Sequence, residues 1–229
     1  MPQTSSTVQA DFDRIAPLTA TRRWDNNSHY HGYLLKHVPR RCREALDIGS
    51  GTGDFARSLA RRCDHVLGLD LSPQMVRIAT SMSKRYPNVE YQMADVMQLD
   101  LPDEHYDCIA SIATLHHMPM DAILRKMKAA LRPGGTLLVL DLYEGQGWVD
   151  ALANGVAVPY SAALRLIKLR RLSDPPEVRQ AWEEHGKSDK YLTLPEVRRL
   201  CAEILPGAKV KRHLLWRYSI VWRKAKGGT

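Results

Sequence analysis

Cysteine is scarce in this sequence, and the few cysteines are not spaced as ligands. The 229 residues include four of them, Cys42, Cys63, Cys108 and Cys201, without a CxxC or CxxH pair. Structural zinc sites and disulfide frameworks use such close spacings. We therefore predict idle or buried thiols, no bound metal, and the reducing environment of the cytoplasm.

Long apolar runs are missing as well. No stretch approaches the roughly 20 residues that a membrane-spanning helix needs. The beginning of the chain, MPQTSSTVQADF, is polar and lacks the apolar core of a secretion signal, so we expect its first ten residues to be loose. Hydrophobic residues make up 44% of the chain, which is enough for the core of one domain without a membrane partner.

Short apolar runs alternate with segments of helical periodicity between residues 44 and 142. The runs, which we interpret as strands, are EALDI, HVLGLD, NVEYQMA, YDCIASI and TLLVLDL. Between the second and third runs, apolar residues from Met75 to Met82 recur with helical spacing, and Ser72 can cap that helix. Strands that alternate with helices in this way predict a parallel sheet with right-handed crossovers.

The alternation stops after Leu142. Residues 143–192 are predicted to be helical or irregular, an insertion or lid, and Thr193 and Glu196 then have capping-box spacing before an amphipathic helix. Two closing strands, AKVKRHLL and RYSIVWRK, are close enough together to form an antiparallel hairpin. We therefore predict an N-terminal segment over 1–43 and an α/β domain over 44–229.

Three glycines at alternate positions follow the first predicted strand, in ALDIGSGTGD. A P-loop is excluded because no GK[ST] follows them, and the dinucleotide pattern GxGxxG would need a glycine where Asp54 stands. Asp47, on the strand itself, would repel a pyrophosphate but suits a ligand with an ammonium group and a sulfonium. The glycines allow positive φ angles and let the backbone approach that ligand closely.

Two more carboxylates follow the next two predicted strands. Asp70 ends the second strand, and Asp95 comes directly after the third. The first can accept hydrogen bonds from both hydroxyls of a ribose, and the second can accept one from the exocyclic amine of an adenine. The carboxyl ends of neighbouring parallel strands are where open α/β sheets bind ligands.

At these residues the chain resembles the S-adenosylmethionine-dependent methyltransferases of the doubly wound, Rossmann-like type. The motifs that carry the resemblance are LDIGSGTGD, GLDLSP, ADVMQLDLP, YDCIASIATLHH and LRPGGTLLVLDL. The resemblance implies an α/β fold with a mostly parallel seven-stranded sheet, its last strand antiparallel, and a helical insertion after strand 5. It also implies S-adenosylmethionine as cofactor and S-adenosylhomocysteine as product. The implied cofactor-binding residues are Asp47 and Gly49 at the methionine moiety, Asp70 at the ribose, Asp95 and Val96 at the adenine, and also Ser50, Gly51, Gly53, Leu71 and Ala113.

The histidine pair in SIATLHHMP follows the fourth predicted strand. Small-molecule members of the resembled family often carry a histidine here that faces the methyl group, so His116 and His117 are the first catalytic candidates. Either imidazole could serve as general base or bind the acceptor oxygen. The alternative is that at least one of the two is buried and bonded to the backbone.

The segment WDNNSHYHGYLLKHVP, ahead of the first strand, is rich in aromatic and polar residues. In the resembled family this region commonly lies across the cofactor, which makes Tyr30 and His29 further catalytic candidates. The alternative is a surface helix anchored by Trp24, Tyr30 and Leu34.

Positive charge is concentrated in the last third of the chain. Residues 161–229 hold 16 Lys and Arg against 7 Asp and Glu, and the whole chain has a net charge of +8. Basic residues interleaved with Trp216, Tyr218 and Trp222 would suit an RNA-directed methyltransferase. An edge hairpin that turns its charges to solvent explains the same pattern, and no NPPY-type motif follows the fourth strand.

We therefore interpret the chain as a methyltransferase that acts on a small-molecule acceptor, by O- or N-methylation. Nucleic acid and membrane are not expected as partners. An RNA-directed enzyme and a cofactor-binding partner subunit without turnover are the alternatives.

Overall fold

A seven-stranded sheet forms the centre of the protein, and its strands arise from the apolar runs of the sequence. The computed structural model describes residues 5–20, 24–187 and 189–226, without the side chains of 147–154. The strands are β1 (Glu44–Ile48), β2 (His65–Asp70), β3 (Val89–Met93), β4 (Tyr106–Ile112), β5 (Leu131–Leu142), β6 (Lys209–Arg212) and β7 (Arg217–Arg223). Their order across the sheet is β3-β2-β1-β4-β5-β7-β6.

Strands β1 to β5 are parallel, and β7 runs antiparallel between β5 and β6. The predicted fold class is therefore confirmed, including the antiparallel last strand. Strand β1 has β2 on one side and β4 on the other, so the winding of the chain changes direction between β1 and β4. Open α/β sheets bind ligands at such a switch point, beyond the carboxyl ends of the strands.

Eight helices are found among the described residues. They are α1 (Ser5–Thr19), α2 (His31–Leu35), α3 (Asp54–Leu59), α4 (Pro73–Met82), α5 (Met120–Ala130), α6 (Gly147–Leu169), α7 (Pro176–Gly186) and α8 (Leu194–Ile204). Helices α6 and α7 constitute the predicted helical insertion after β5. Within the described ranges, no helix has both the length and the apolar content that a bilayer crossing requires.

Two of these helices begin at caps that the sequence predicted. The Ser72 side chain accepts a hydrogen bond from the Met75 amide at the start of α4, with Pro73 in the first turn. Helix α8 begins with a complete capping box between Thr193 and Glu196. Each cap satisfies backbone donors that the first helical turn leaves without an internal partner.

Helices cover both faces of the sheet because the central strands are apolar on both sides. In β5, Leu137 and Val139 belong to a core cluster shared with α5 and α8. The alternate residues Leu138 and Leu140 belong to a second cluster on the other face, shared with α2 and α3. The two-residue period of the strand thus divides one apolar run between two layers.

Helix α1 packs on α4 and α7, beside the carboxyl end of the sheet. Ile15 and Ala16 are fully buried and form a small cluster with Met75 and Ala181. The expectation of a loose beginning is wrong for residues 5–10, which are helical with Val8 buried. Residues 1–4 lie outside the described residues.

Candidate active site

A cleft of about 730 Å³ opens at the carboxyl ends of β1 and β4, at the switch point of the sheet. Its wall combines the glycine loop, the turn after β4, the segment ahead of α2, and residues from α6 and α7. The sequence-predicted site residues that line it are Asp47, Gly49, Ser50, Gly51, Ala113, His116 and His117. Residues 24–31 and the insertion therefore share one cavity with the glycine loop.

The glycine loop joins β1 to α3 through three residues with positive φ. Gly49, Gly51 and Gly53 have φ angles of 70°, 52° and 80°, which glycine adopts without the penalty of a Cβ. A Cβ on Gly49 would lie 2.1 Å from the Thr114 Oγ1 atom, so that glycine is needed for packing against the turn after β4. A Cβ on Gly51 would meet no atom within 4 Å, because this residue faces the open cleft.

Asp47 places a carboxylate at the bottom of the cleft. Asp47 is 1% exposed, and neither carboxylate oxygen accepts a hydrogen bond of normal geometry from the described residues. Burial, and then the nearby charge of Asp70, raise the pKa of Asp47 from 3.8 to about 8, although the Ala56 amide acts to lower it. The buried Ser50 hydroxyl has no hydrogen-bond partner among the described residues either. The Asp47 carboxylate and the Ser50 hydroxyl therefore line the cleft as polar groups that a ligand could satisfy by hydrogen bonding.

Asp70 holds the glycine loop in place from the end of β2. Its carboxylate accepts hydrogen bonds from the Gly51 amide at 2.8 Å and the Ser72 amide at 2.9 Å. Burial raises the pKa of Asp70, and these two amides act in the opposite direction. The Asp70 side chain itself does not line the cleft wall.

Helix α1 also contacts the end of β3. The Ser5 hydroxyl donates to the Asp95 carboxylate at 2.9 Å, and the Ser72 hydroxyl donates to Asp13 of α1 at 2.6 Å. Five of the predicted cofactor-binding residues are not part of the cleft wall: Gly53, Asp70, Leu71, Asp95 and Val96.

A tight turn after β4 carries the histidine pair to the cleft. Ala113 has a φ of 52°, an uncommon conformation for a residue with a side chain, and its amide donates to the Leu140 carbonyl at 2.7 Å. A single 3₁₀ turn over Leu115–His117 follows, in which Leu115 is buried in the core. The histidine side chains are 6% and 5% exposed, respectively.

Asp141, near the end of β5, fixes the orientation of His116. The carboxylate accepts hydrogen bonds from the His116 Nδ1 atom at 2.6 Å and from the His116 amide at 3.0 Å. Burial acts to lower the pKa of His116, but the Asp141 charge and hydrogen bond outweigh burial, and the net shift is upward. Burial, together with the neighbouring His116, lowers the pKa of His117 to about 3. The two imidazoles are therefore held in unlike electrostatic environments.

Residues of the insertion complete this part of the cleft, and the sequence alone did not indicate them. His185 in α7 stacks near His117, with ring centroids 5.1 Å apart. Asp189 lies 3.6 Å from the His117 Nδ1 atom and accepts a hydrogen bond from the Tyr191 hydroxyl at 2.7 Å. The spacing HxxxDxY within EEHGKSDKY was the available signal, but it lies in a segment interpreted as a polar insertion.

The segment ahead of α2 reaches the cleft with residues other than the predicted ones. Asn27 and His31 line the wall, and the Asn27 side chain accepts a hydrogen bond from Arg217 Nε at 2.6 Å. Tyr30 is instead buried in the core, where its hydroxyl donates to the Leu214 carbonyl at 2.7 Å. His29 packs on Tyr30 and likewise does not line the cleft.

Comparisons with known proteins find similar chains by sequence and by fold. The family described as a methyltransferase domain matches residues 45–135. An uncharacterized methyltransferase of Mycobacterium bovis is 30% identical over 204 residues, which cover 87% of this chain and 96% of that protein. A demethylmenaquinone methyltransferase of Tropheryma whipplei is 34% identical over 99 residues, 43% of this chain and 41% of that enzyme. The N-methyltransferase NodS of Bradyrhizobium japonicum, solved with S-adenosylhomocysteine, superposes with a TM-score of 0.63 at 16% identity, over 94% of this chain and 97% of that one.

Proposed function

The chain belongs to the S-adenosylmethionine-dependent methyltransferases, and on that premise we propose that it methylates an oxygen or nitrogen atom of a small-molecule acceptor. The observation that carries the proposal is that the glycine loop and the histidine pair line one cleft. S-adenosylmethionine supplies a methyl carbon that its sulfonium already activates. The protein has mainly to align the acceptor with that carbon and to keep water out.

The polar groups of the cleft fit the methionine end of the cofactor. The buried Asp47 carboxylate and the buried Ser50 hydroxyl both lack a hydrogen bond of normal geometry among the described residues. A carboxylate of this kind is stabilised by an ammonium group, and a charged hydrogen bond contributes roughly 1.5–3 kcal/mol. We assign Asp47, Ser50 and the loop residues Gly49 and Gly51 to this end of the cofactor, with Ala113 beside them.

The adenosine end is assigned to the neighbouring strand ends. Asp70 is proposed to bind the ribose, with Leu71 next to it, and Asp95 with Val96 to bind the adenine. Ser5 of α1 donates to Asp95, so α1 covers this end of the site. That contact supports the proposed role of residues 1–43 as a cover for the cofactor.

The histidine pair is proposed to form the acceptor end. Asp141 holds the His116 ring in one orientation, so its other nitrogen is presented at a defined position. Phe12, Trp24 and Trp182 add aromatic surface to the same cleft. An acceptor with an apolar or aromatic body and one hydroxyl or amine matches this combination.

The charge of the cleft favours a small acceptor over RNA. Its wall holds three arginines, Arg165, Arg179 and Arg217, against six acids, Asp25, Asp47, Asp54, Asp174, Glu183 and Asp189. The first arginine is paired with Asp174 at 2.9 Å, and the last donates to Asn27. A polyanion gains affinity from unpaired cations along its path. The relatives of Tropheryma whipplei and Synechocystis, named as demethylmenaquinone and 2-methyl-6-phytyl-1,4-hydroquinone methyltransferases, support a small acceptor with a ring.

The proposal is tested by release of S-adenosylhomocysteine from a panel of small hydroxylated and amino compounds, with total RNA as a separate substrate. We expect release with at least one small compound, and slower release by Asp47→Asn when the cofactor concentration is limiting. Asp107→Asn is the matched control, because Asp107 lies at the opposite end of the strands and accepts the Arg43 and Glu44 amides. Release with RNA alone would contradict the small-acceptor proposal. Cofactor binding without any release would favour a partner subunit that lacks turnover.

A further inference from the structure

Three imidazoles and one carboxylate meet at the acceptor end of the cleft. The Asp189 carboxylate lies 3.9 Å from the His116 Nε2 atom, 3.6 Å from the His117 Nδ1 atom and 3.8 Å from the His185 Nε2 atom. All four side chains are nearly buried, with 3–6% exposure. For His116, His117 and Asp189, one ligand-type atom of each lies within 4.8 Å of the other two.

The outer nitrogens of two of these imidazoles are held by other carboxylates. His116 Nδ1 lies 2.6 Å from Asp141, and His185 Nδ1 lies 3.2 Å from Asp11 of α1. An Nδ1–H that donates to a carboxylate leaves a lone pair on Nε2, which here faces Asp189. A histidine that binds a metal almost always donates its other N–H in this way.

We propose that His116, His117 and Asp189 bind a divalent first-row transition ion of the Zn²⁺ kind. Two imidazoles and one carboxylate form the donor set of catalytic zinc sites, which keep a further position for water or substrate. Ligand atoms of a tetrahedral zinc ion lie roughly 3.3 Å apart, as its bonds of about 2.0–2.1 Å require. The distances of 3.9 and 3.6 Å are to different oxygens of Asp189, and one ligand atom of each residue lies within 4.8 Å of the other two. The three side chains therefore have to close by up to about 1.5 Å around an ion.

The orientation of the carboxylate and the mixed donor set also fit a transition ion. Tyr191 donates to Asp189 at 2.7 Å and so orients the carboxylate. Nitrogen and carboxylate ligands together select Zn²⁺ or Fe²⁺ over Mg²⁺ and Ca²⁺, which prefer oxygen alone.

The expectation of no metal rested on the spacing of the cysteines, and these ligands are not cysteines. His116 and His117 are adjacent in the sequence, whereas Asp189 comes more than 70 residues later and reaches them only in the folded chain. In the cleft the ion would hold the oxygen or nitrogen atom of the acceptor and favour its deprotonated form. This part of the inference rests on the proposed function, whereas binding of the ion does not.

The test is titration of the chelator-treated full-length protein with Co²⁺, followed by visible absorption, and then by displacement with Zn²⁺. We expect one ion per chain, with an absorption intensity typical of four- or five-coordinate Co²⁺. Asp189→Asn should abolish this signal, and Asp141→Asn should weaken ion binding by about 10–100-fold, the usual effect of losing an outer carboxylate. Glu44→Gln is the matched control, because Glu44 lies 3.0 Å from His65 and 4.0 Å from His105 on the surface. That variant should bind the ion as the unchanged protein does.

Thermal unfolding provides a readout that does not depend on activity. Zn²⁺ should raise the unfolding temperature of the unchanged protein and of Glu44→Gln but not of Asp189→Asn, because a ligand that binds only the folded state stabilises it. Absence of a stoichiometric Co²⁺ spectrum, or an Asp189→Asn variant that binds like the unchanged protein, would overturn the metal site. Full turnover after chelation would overturn the role of the ion toward the acceptor. A stoichiometric ion in a protein that methylates nothing would uphold the site and reject the proposed function instead.

Discussion

The protonation of Asp47 should make cofactor binding depend on pH. Its pKa is raised from 3.8 to about 8 in the cofactor-free protein, so at pH 7 most molecules hold a proton on this carboxyl group. The ammonium group of S-adenosylmethionine favours the ionised form, so binding should release that proton. Each pH unit below 8 then costs about 1.4 kcal/mol, or a factor of ten in affinity.

Asp47→Asn mimics the protonated side chain and gives the size of the effect. The variant lacks a charged hydrogen bond that contributes roughly 1.5–3 kcal/mol. At pH 7 the unchanged protein loses about 1.4 kcal/mol to ionise Asp47, so the two proteins should differ by no more than about 1.5 kcal/mol there. At pH 8 and above the difference should approach its full value. The affinity of the variant should not change between pH 6 and 7.5.

Calorimetric titration measures both the affinity for the cofactor and the number of protons released on binding. Experiments at pH 6.5 in two buffers of different ionisation enthalpy should report about one proton released per cofactor bound by the unchanged protein, and none by Asp47→Asn. A dissociation constant that stays constant between pH 6 and 7.5, or an equal proton count for both proteins, would refute the assignment of Asp47 to the ammonium group.

The same shift affects the cofactor-free fold. Because the folded-state pKa lies above the unfolded value, the folded protein binds more protons than the unfolded chain between about pH 4 and pH 8. The free energy of unfolding should therefore decrease as the pH rises through this window, and the decrease should be smaller in Asp47→Asn. The unfolding temperatures of both proteins at pH 5 and pH 8 measure this difference.

Four further substitutions test the rest of the site. Asp70→Ala should weaken cofactor binding by roughly 1.5–3 kcal/mol in calorimetry, and an unchanged affinity would reject its role. Gly51→Val and Gly49→Ala should both lower the unfolding temperature, because both positions have positive φ angles. Gly51→Val should in addition block cofactor binding, because Gly51 lines the open cleft, whereas the Cβ of Gly49→Ala would collide with Thr114. His116→Ala should reduce the rate of methyl transfer by about 10²–10⁴-fold at an unchanged cofactor affinity, and a normal rate would make this histidine structural.

The sheet and its caps could be predicted because local patterns determine them. Alternating apolar runs specify strands, and the capping box before α8 depends on two residues, Thr193 and Glu196, three positions apart. The position of the cleft also followed from the sequence, since parallel strands place their carboxyl ends at one edge. Asp47 was predicted to lie at this edge for the same reason, and it lines the cleft.

The segment over residues 24–35 was harder to predict because its aromatic and polar residues alternate between a buried face and a face toward the cleft. Tyr30 and Leu34, four positions apart on one face of the helical turns, are buried together. Asn27 and His31, also four positions apart, lie on the face that lines the cleft. The predicted Tyr30 buries a large aromatic ring and only needs a carbonyl for its hydroxyl. The composition identified the segment as unusual, but only the orientation of its helical turns determines which residues are buried and which line the cleft.

The histidine cluster could not be predicted because its members are distant in sequence and belong to separate elements of the fold. His116 and His117 follow a regular strand, whereas His185 and Asp189 belong to the insertion between β5 and α8. No pattern of the sequence links the turn after β4 to the insertion. The three histidines come together only in the folded chain, where each lies within 4 Å of the Asp189 carboxylate. The glycine loop is thus built on the sheet, whereas the proposed acceptor end depends on α7 as well. A change in the insertion can therefore alter the acceptor without altering the glycine loop, which is the physical basis for expecting acceptor choice to reside in residues 143–192.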